Sequence, residues 1–252
     1  MAKVYVITSG KGGVGKTTTA VNLGAALNKF KEDVLIVDAN LSTPNLGLHF
    51  GAPIVPVSLS HVLQGKAEIE DAIYEHSSGL KLVPSSLSLK DMQKIDFSMM
   101  EGVSKKLKKL STHIIFDSAA GLGEEAKTAL ENADEIILVT NPNILSVTDS
   151  LKAVKLAQDL NKTIRGVIIT KVKGEKTEMP LENIKDMLEV PVLGIVPDDS
   201  AVEESLVKKN AVINTKPRSK SAKAYMDIAA KILGKKRKPE SMLDKLLGSL
   251  GI

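Results

Sequence analysis

"SGKGGVGKTTT", residues 9–19, carries the pattern G-x-x-x-x-G-K-[ST] from Gly10 to Thr17. Its glycines let backbone N–H groups turn inward around an anion without obstruction from side chains. An apolar run, "KVYVIT" (3–8), precedes the loop, and a helical pattern, "KTTTAVNLGAALNKF" (16–30), follows it. Strand, loop and helix in that order aim the positive end of a helix dipole at the bound anion. Gly10, Lys11, Gly12, Gly13, Val14, Gly15, Lys16, Thr17 and Thr18 are therefore read as a phosphate-binding loop. In such a loop Lys16 is expected to bridge the β- and γ-phosphates of a nucleotide, and the Thr17 hydroxyl to ligate Mg²⁺. Lys11 is not required by that mechanism. On charge grounds, a cation at the loop's rim is either solvated or paired with an anion from another molecule.

Outward from the loop, short apolar runs alternate with amphipathic stretches. "DVLIVD" (33–38), "LKLVPS" (80–85), "THIIFD" (112–117), "EIILVT" (135–140), "RGVIIT" (165–170) and "VLGIVP" (192–197) join 3–8 as expected strands. Their nearly unbroken hydrophobicity suits strands covered on both faces. Residues 99–110, 150–160 and 222–233 carry further helical patterns. The alternation predicts an α/β protein with a doubly wound, mostly parallel sheet and helices on both faces, the P-loop NTPase arrangement. Residues 1–233 are expected to form this domain. Residues 234–252, "GKKRKPESMLDKLLGSLGI", form a basic linker and a short amphipathic segment.

The chain has 252 residues, with 34 basic and 30 acidic side chains and a formal net charge of +4. So small a surplus permits an anionic partner without demanding one. There is no cysteine, which excludes disulfides, thiolate zinc sites and cysteine-ligated iron–sulfur clusters. His49, His61, His76 and His113 show no spacing suited to metal ligation. The N-terminal apolar run is too short for a signal peptide, and no stretch reaches the ~20 apolar residues of a membrane span. A cytoplasmic protein is expected, free or peripheral on the inner face of the cell membrane.

"KGGVGKT" (11–17) matches residue for residue the K-G-G-x-G-K-[ST] loop of the MinD/ParA family of deviant Walker A ATPases, and the chain most resembles the MinD-like branch. "VLIVDANLSTPNLGLHFG" (34–51) is similar to the family's second strand and switch I. "HIIFDSAAGL" (113–122) is similar to its D-x-x-x-G Walker B and switch II segment. The stretches 137–150 and 192–213 resemble later family segments. The resemblance implies ATP/ADP and Mg²⁺ as cofactors. It implies that Lys11 reaches the phosphates of a partner's ATP in a sandwich homodimer. It places Asp38 and Asp117 with Thr17 at the metal, Gly121 near the γ-phosphate, and Pro197 and Asp198 at the adenine. Lys11, Lys16, Asp38 and Asn40 are the catalytic candidates.

One position departs from the family pattern. Its switch I usually carries D-x-D, whereas this chain reads Asp38-Ala39-Asn40. An amide cannot accept a proton as general base, though it can hold a water through one acceptor and two donors. Positioning and electrostatics dominate phosphoryl transfer. Slow hydrolysis is therefore expected, with an ATP-bound scaffold of little turnover as an alternative.

Placed on a helix, Met242, Leu243, Leu246, Leu247 and Leu250 fall within an arc of about 140°. Lys235, Lys236, Arg237 and Lys238 lie just upstream. This pattern suits an anionic membrane surface and resembles the membrane-targeting helix of many MinD-like proteins. A protein partner for the segment is the competing expectation. The leading expectation for the whole chain is an ATP-dependent switch that positions an unidentified partner at a membrane, as a cell-division or other spatial regulator. The alternative is a ParA-like ATPase that binds DNA nonspecifically through Lys208, Lys209, Lys216, Arg218, Lys220 and Lys223. Relatives that act on small molecules, such as dethiobiotin-synthetase-like and cobyrinate-amidating enzymes, share the fold. The first loop lysine and the tail favour a dimer switch over them.

Overall fold

A computed structural model describes residues 2–236; the basic run from Arg237 and the amphipathic segment that follows lie outside the described residues. Among the described residues, eight strands form one sheet: β1 (Lys3–Thr8), β2 (Val34–Ala39), β3 (Tyr74–Glu75), β4 (Lys81–Val83), β5 (His113–Ser118), β6 (Glu135–Thr140), β7 (Thr163–Val172) and β8 (Val192–Pro197). Their order is β3-β4-β2-β5-β1-β6-β7-β8. Every pairing is parallel except β3 with β4. The expected parallel strands are all present. The short antiparallel β3 at the edge was not expected, because two residues carry no periodic signal.

The α-helices among the described residues are α1 (Lys16–Lys29), α2 (Leu46–His49), α3 (Leu59–Val62), α4 (Met100–Leu110), α5 (Glu124–Glu131), α6 (Ile144–Asp159), α7 (Leu181–Leu188), α8 (Ser200–Val207), α9 (Val212–Thr215) and α10 (Lys220–Ile232). Alternate strand residues feed different cores. Tyr5, Ile7, Ile36 and Ile115 pack with α1, α9 and α10 on one face. Val4, Val6, Leu35, Val37, Ile114 and Phe116 pack with α3, α4 and α5 on the other. The second face continues over β6 and β7 beneath α6 and α7. Strands buried on both faces are what unbroken Val/Ile runs require. Helix α6 begins at Ile144, earlier than the expected residue 150, because Asn143 caps it by accepting from the Ser146 amide at 2.9 Å. No described helix is long and apolar enough to cross a membrane.

From β1 the chain crosses to β2 on one side, and from β5 it passes over β1 to β6 on the other. The carboxyl ends of the strands on either side of this reversal open a crevice, the usual ligand position in open parallel sheets. The phosphate loop, Asp38, Asp117, Asn141, Thr170 and Pro197 all lie at strand ends along that edge.

Candidate nucleotide-binding site

The loop after β1 owes its shape to glycine geometry and to outside hydrogen bonds. Gly15 has φ +100°, a left-handed conformation costly for any residue with a Cβ, and it turns the chain into α1. Gly10 is required for space: a Cβ there would lie 1.9 Å from the Asp149 carbonyl oxygen of α6. Side chains from β7 and the end of β6 hold the loop carbonyls. Lys171 Nζ donates to Gly13 O at 2.8 Å, and Thr170 Oγ1 donates to Val14 O at 2.6 Å. Asn141 Nδ2 donates to Val14 O at 3.3 Å and to Thr170 Oγ1 at 2.9 Å. Because the peptide is planar, fixing these carbonyls also fixes the direction of the Val14 and Gly15 amides. Asn141, Thr170 and Lys171 were not singled out from the sequence. Their one signal was position, at the carboxyl ends of expected strands.

Asp38 and Asp117 are register partners on β2 and β5, so two carboxylates stand side by side. Asp38 is fully buried and accepts backbone N–H bonds from Asn40 (3.3 Å), Asn45 (3.0 Å) and Leu46 (2.9 Å). Burial raises its pKa well above the ordinary value, and the neighbouring Asp117 adds to the rise. Asp117 is 1% exposed, and neither carboxylate oxygen meets a donor at hydrogen-bonding geometry. Burial pushes its pKa up to about 6, against the opposing pull of the nearby Thr17 hydroxyl and Lys16. Burial likewise lowers the pKa of Lys16, while Asp117 works against the fall. A buried carboxylate without a donor is costly unless something else neutralises it. Asp117, with the amide-bonded Asp38 beside it and a threonine hydroxyl nearby, completes an all-oxygen donor set of the kind Mg²⁺ prefers.

Asn40 is mostly committed to its own loop. Its Oδ1 accepts from Thr43 N (3.4 Å) and Thr43 Oγ1 (3.1 Å), and its Nδ2 donates to Thr43 O at 2.6 Å. Of the donors and acceptor expected to hold a water, one amide proton is left uncommitted in this arrangement. The same loop is tied to α5, where the Ser42 hydroxyl and amide both donate to Glu125.

Two cavities flank the loop. A cleft of about 320 Å³ is lined by Gly12, Gly13, Lys16, Thr17, Asn40 and Ala120 among others. A second cavity, about 430 Å³, is lined by Val196, Pro197, Asp198, Val202, Leu206 and Tyr225 among others. The structure thus gathers Gly12, Gly13, Gly15, Lys16, Thr17, Thr18 and Asn40 around one cleft and sets Pro197 and Asp198 in the adjoining cavity. Gly121 turns its amide toward Ser9 O at 3.0 Å, and its neighbour Ala120 lines the cleft. Lys11 is exposed and does not line its own cleft. Its ammonium makes no ion pair or hydrogen bond among the described residues. His49, read from sequence as a residue of no special role, lines both cavities.

A glycine-rich loop opening a buried helix at the carboxyl edge of a parallel sheet, with a lysine and an acidic pair beneath it, defines a P-loop nucleotide-binding protein. Residues 5–213 match the family model CbiA, the CobQ/CobB/MinD/ParA nucleotide binding domain, and the chain belongs to that family. It is 39% identical over 256 residues to an uncharacterised ATP-binding protein of Methanocaldococcus jannaschii, covering 99% of this chain and 97% of the relative. It is 34% identical to the septum site-determining protein MinD of Neisseria meningitidis, covering 94% and 93%. The solved structure of MinD with Mg-ADP from Pyrococcus horikoshii superposes with a TM-score of 0.88 at 34% identity, covering 92% of this chain and 96% of that one. The protein is thus a MinD/ParA-family ATPase similar to septum site-determining MinD.

Proposed function

We propose that this chain is an ATP-dependent dimerising switch that hydrolyses ATP slowly and positions a partner at a membrane surface. The observation that carries this reading is the contrast between its two loop lysines. Lys16 is buried in the cleft, whereas Lys11 is exposed on the loop's rim without a described partner. A cation so placed is available to the phosphates of a second protomer. ATP would then lie with its phosphates against Gly10–Thr18 and its base toward Pro197 and Asp198. Thr17, Asp38 and Asp117 would hold Mg²⁺, which supplies charge neutralisation at the β- and γ-phosphate oxygens. Slow turnover follows from Asn40, which has no carboxylate to offer an attacking water. In the ATP dimer, residues 1–233 act as the switch and residues 234–252 as its attachment.

Size exclusion of wild type and Lys11→Ala with ADP, ATP and no nucleotide tests the switch. ATP should dimerise the wild type alone, while the variant keeps its monomeric affinity. A wild type that stays monomeric at saturating Mg-ATP refutes it. Two tails joined in a dimer gain from effective concentration, so liposomes of anionic lipid should sediment the full chain with ATP but not a chain ending at Gly234. Equal sedimentation removes the membrane. Lys216, one of the cations considered for DNA, is paired with Glu204 at 3.0 Å, which weakens that alternative surface.

A further inference from the structure

Gly15, Thr18, His49 and Lys171 line both cavities, so they form the neck between them. Gly15 and Thr18 come from the loop and the start of α1; His49 ends α2 and Lys171 lies near the end of β7. A nucleotide whose base occupies the larger cavity and whose terminal phosphates occupy the cleft must thread this neck. Its covalent order puts the ribose and α-phosphate there.

His49 is placed firmly. The first turn of α2 is pinned because Asn45 and Leu46 donate their amides to Asp38, and Leu46 and Phe50 are buried on either side of His49. The His49 amide closes the turn on Asn45 O at 3.1 Å. Yet its ring nitrogens have no hydrogen-bond or ion-pair partner among the described residues. Neither nitrogen is sealed from solvent, so at the neck both are open to a ligand that enters it. Burial lowers its pKa to about 4, so at neutral pH it offers one N–H donor and one acceptor without charge.

We propose that His49 binds the nucleotide by donating a hydrogen bond from its ring to the α-phosphate in the neck. This rests on the nucleotide-binding reading and names a contact within it. Because ATP and ADP share the α-phosphate, the contact contributes to both alike.

Calorimetric titration of wild type, His49→Phe and His49→Gln with Mg-ADP and a non-hydrolysable Mg-ATP analogue tests it. His49→Phe keeps the ring volume and removes both nitrogens, and circular dichroism checks that each variant is folded. The expected result is a loss of about tenfold or more in affinity for both nucleotides in the phenylalanine variant, the strength of a hydrogen bond to a charged group. The glutamine variant, which retains an N–H donor, should recover most of it. Wild-type affinity in folded His49→Phe overturns the proposal, and so does a loss confined to the triphosphate, which would put the ring against the terminal phosphates. A wild type that binds neither nucleotide fails earlier, at the nucleotide reading itself.

Discussion

Replacing Asp117 with asparagine should stabilise the protein when no metal or nucleotide is present. The carboxyl group is 1% exposed, and burial raises its pKa from 3.8 to about 6. At about 1.4 kcal/mol per pKa unit, holding it ionised in the folded state costs at most ~3 kcal/mol at pH 7.5. The sign follows from proton binding. Between pH 3.8 and 6 the folded state holds a proton that the unfolded state has released. The wild type therefore has its full stability below pH 3.8 and loses it as pH rises through 6. Asparagine has no proton to lose and nearly the same shape, so its advantage should open over that interval and level off above it. Lys16 loses a neighbouring anion in the variant, which trims the gain. Urea denaturation followed by circular dichroism, at pH 4 and pH 7.5 in EDTA without nucleotide, measures it. The expected difference is near zero at pH 4 and on the order of 1–3 kcal/mol in favour of Asp117→Asn at pH 7.5. With saturating Mg-ATP the order should reverse, because ligand binding stabilises only the form that binds. A variant less stable than wild type at pH 7.5 without ligand, or a gap of equal size at both pH values, would refute the reasoning.

Asn40→Asp should change two measurements in opposite directions. Single-turnover hydrolysis should rise as a carboxylate becomes available to the water, while stability without Mg²⁺ falls by about 1–3 kcal/mol as the donor to Thr43 O is lost and a third carboxylate joins the pair. Hydrolysis no faster than wild type would show that Asn40 is not limiting. Gly10→Ala should cost more than the ~1–3 kcal/mol typical of overpacking, because its Cβ meets rigid α6 backbone at 1.9 Å rather than a yielding side chain. A melting temperature unchanged from wild type would contradict that packing.

Much of this protein was legible along the chain because the relevant physics is local. The phosphate loop is contiguous, and its glycines, Lys16 and Thr17 are in place once a strand precedes them and a helix follows. Strands covered on both faces betray themselves by unbroken Val and Ile, which is why the parallel ladder could be read before its order was known. A departure such as Asn40 also shows in sequence, because the identity of a side chain limits its chemistry whatever surrounds it.

Other features arise only when distant segments meet. Asp38 and Asp117 lie far apart in the chain, and their mutual repulsion exists because β2 and β5 pair in register. Thr170, Lys171 and Asn141 shape the loop from the ends of strands that follow it by well over a hundred residues. Asn40 has a single amide proton left uncommitted because Thr43 folds back onto its side chain. His49 was a single imidazole without ligand spacing until α2 carried it to the neck between two cavities. Residue type and spacing set what each group can do. Which groups face one another, and how far water is excluded from them, is decided by the packed fold, because electrostatic strength and hydrogen-bond satisfaction depend on surroundings that no single segment contains.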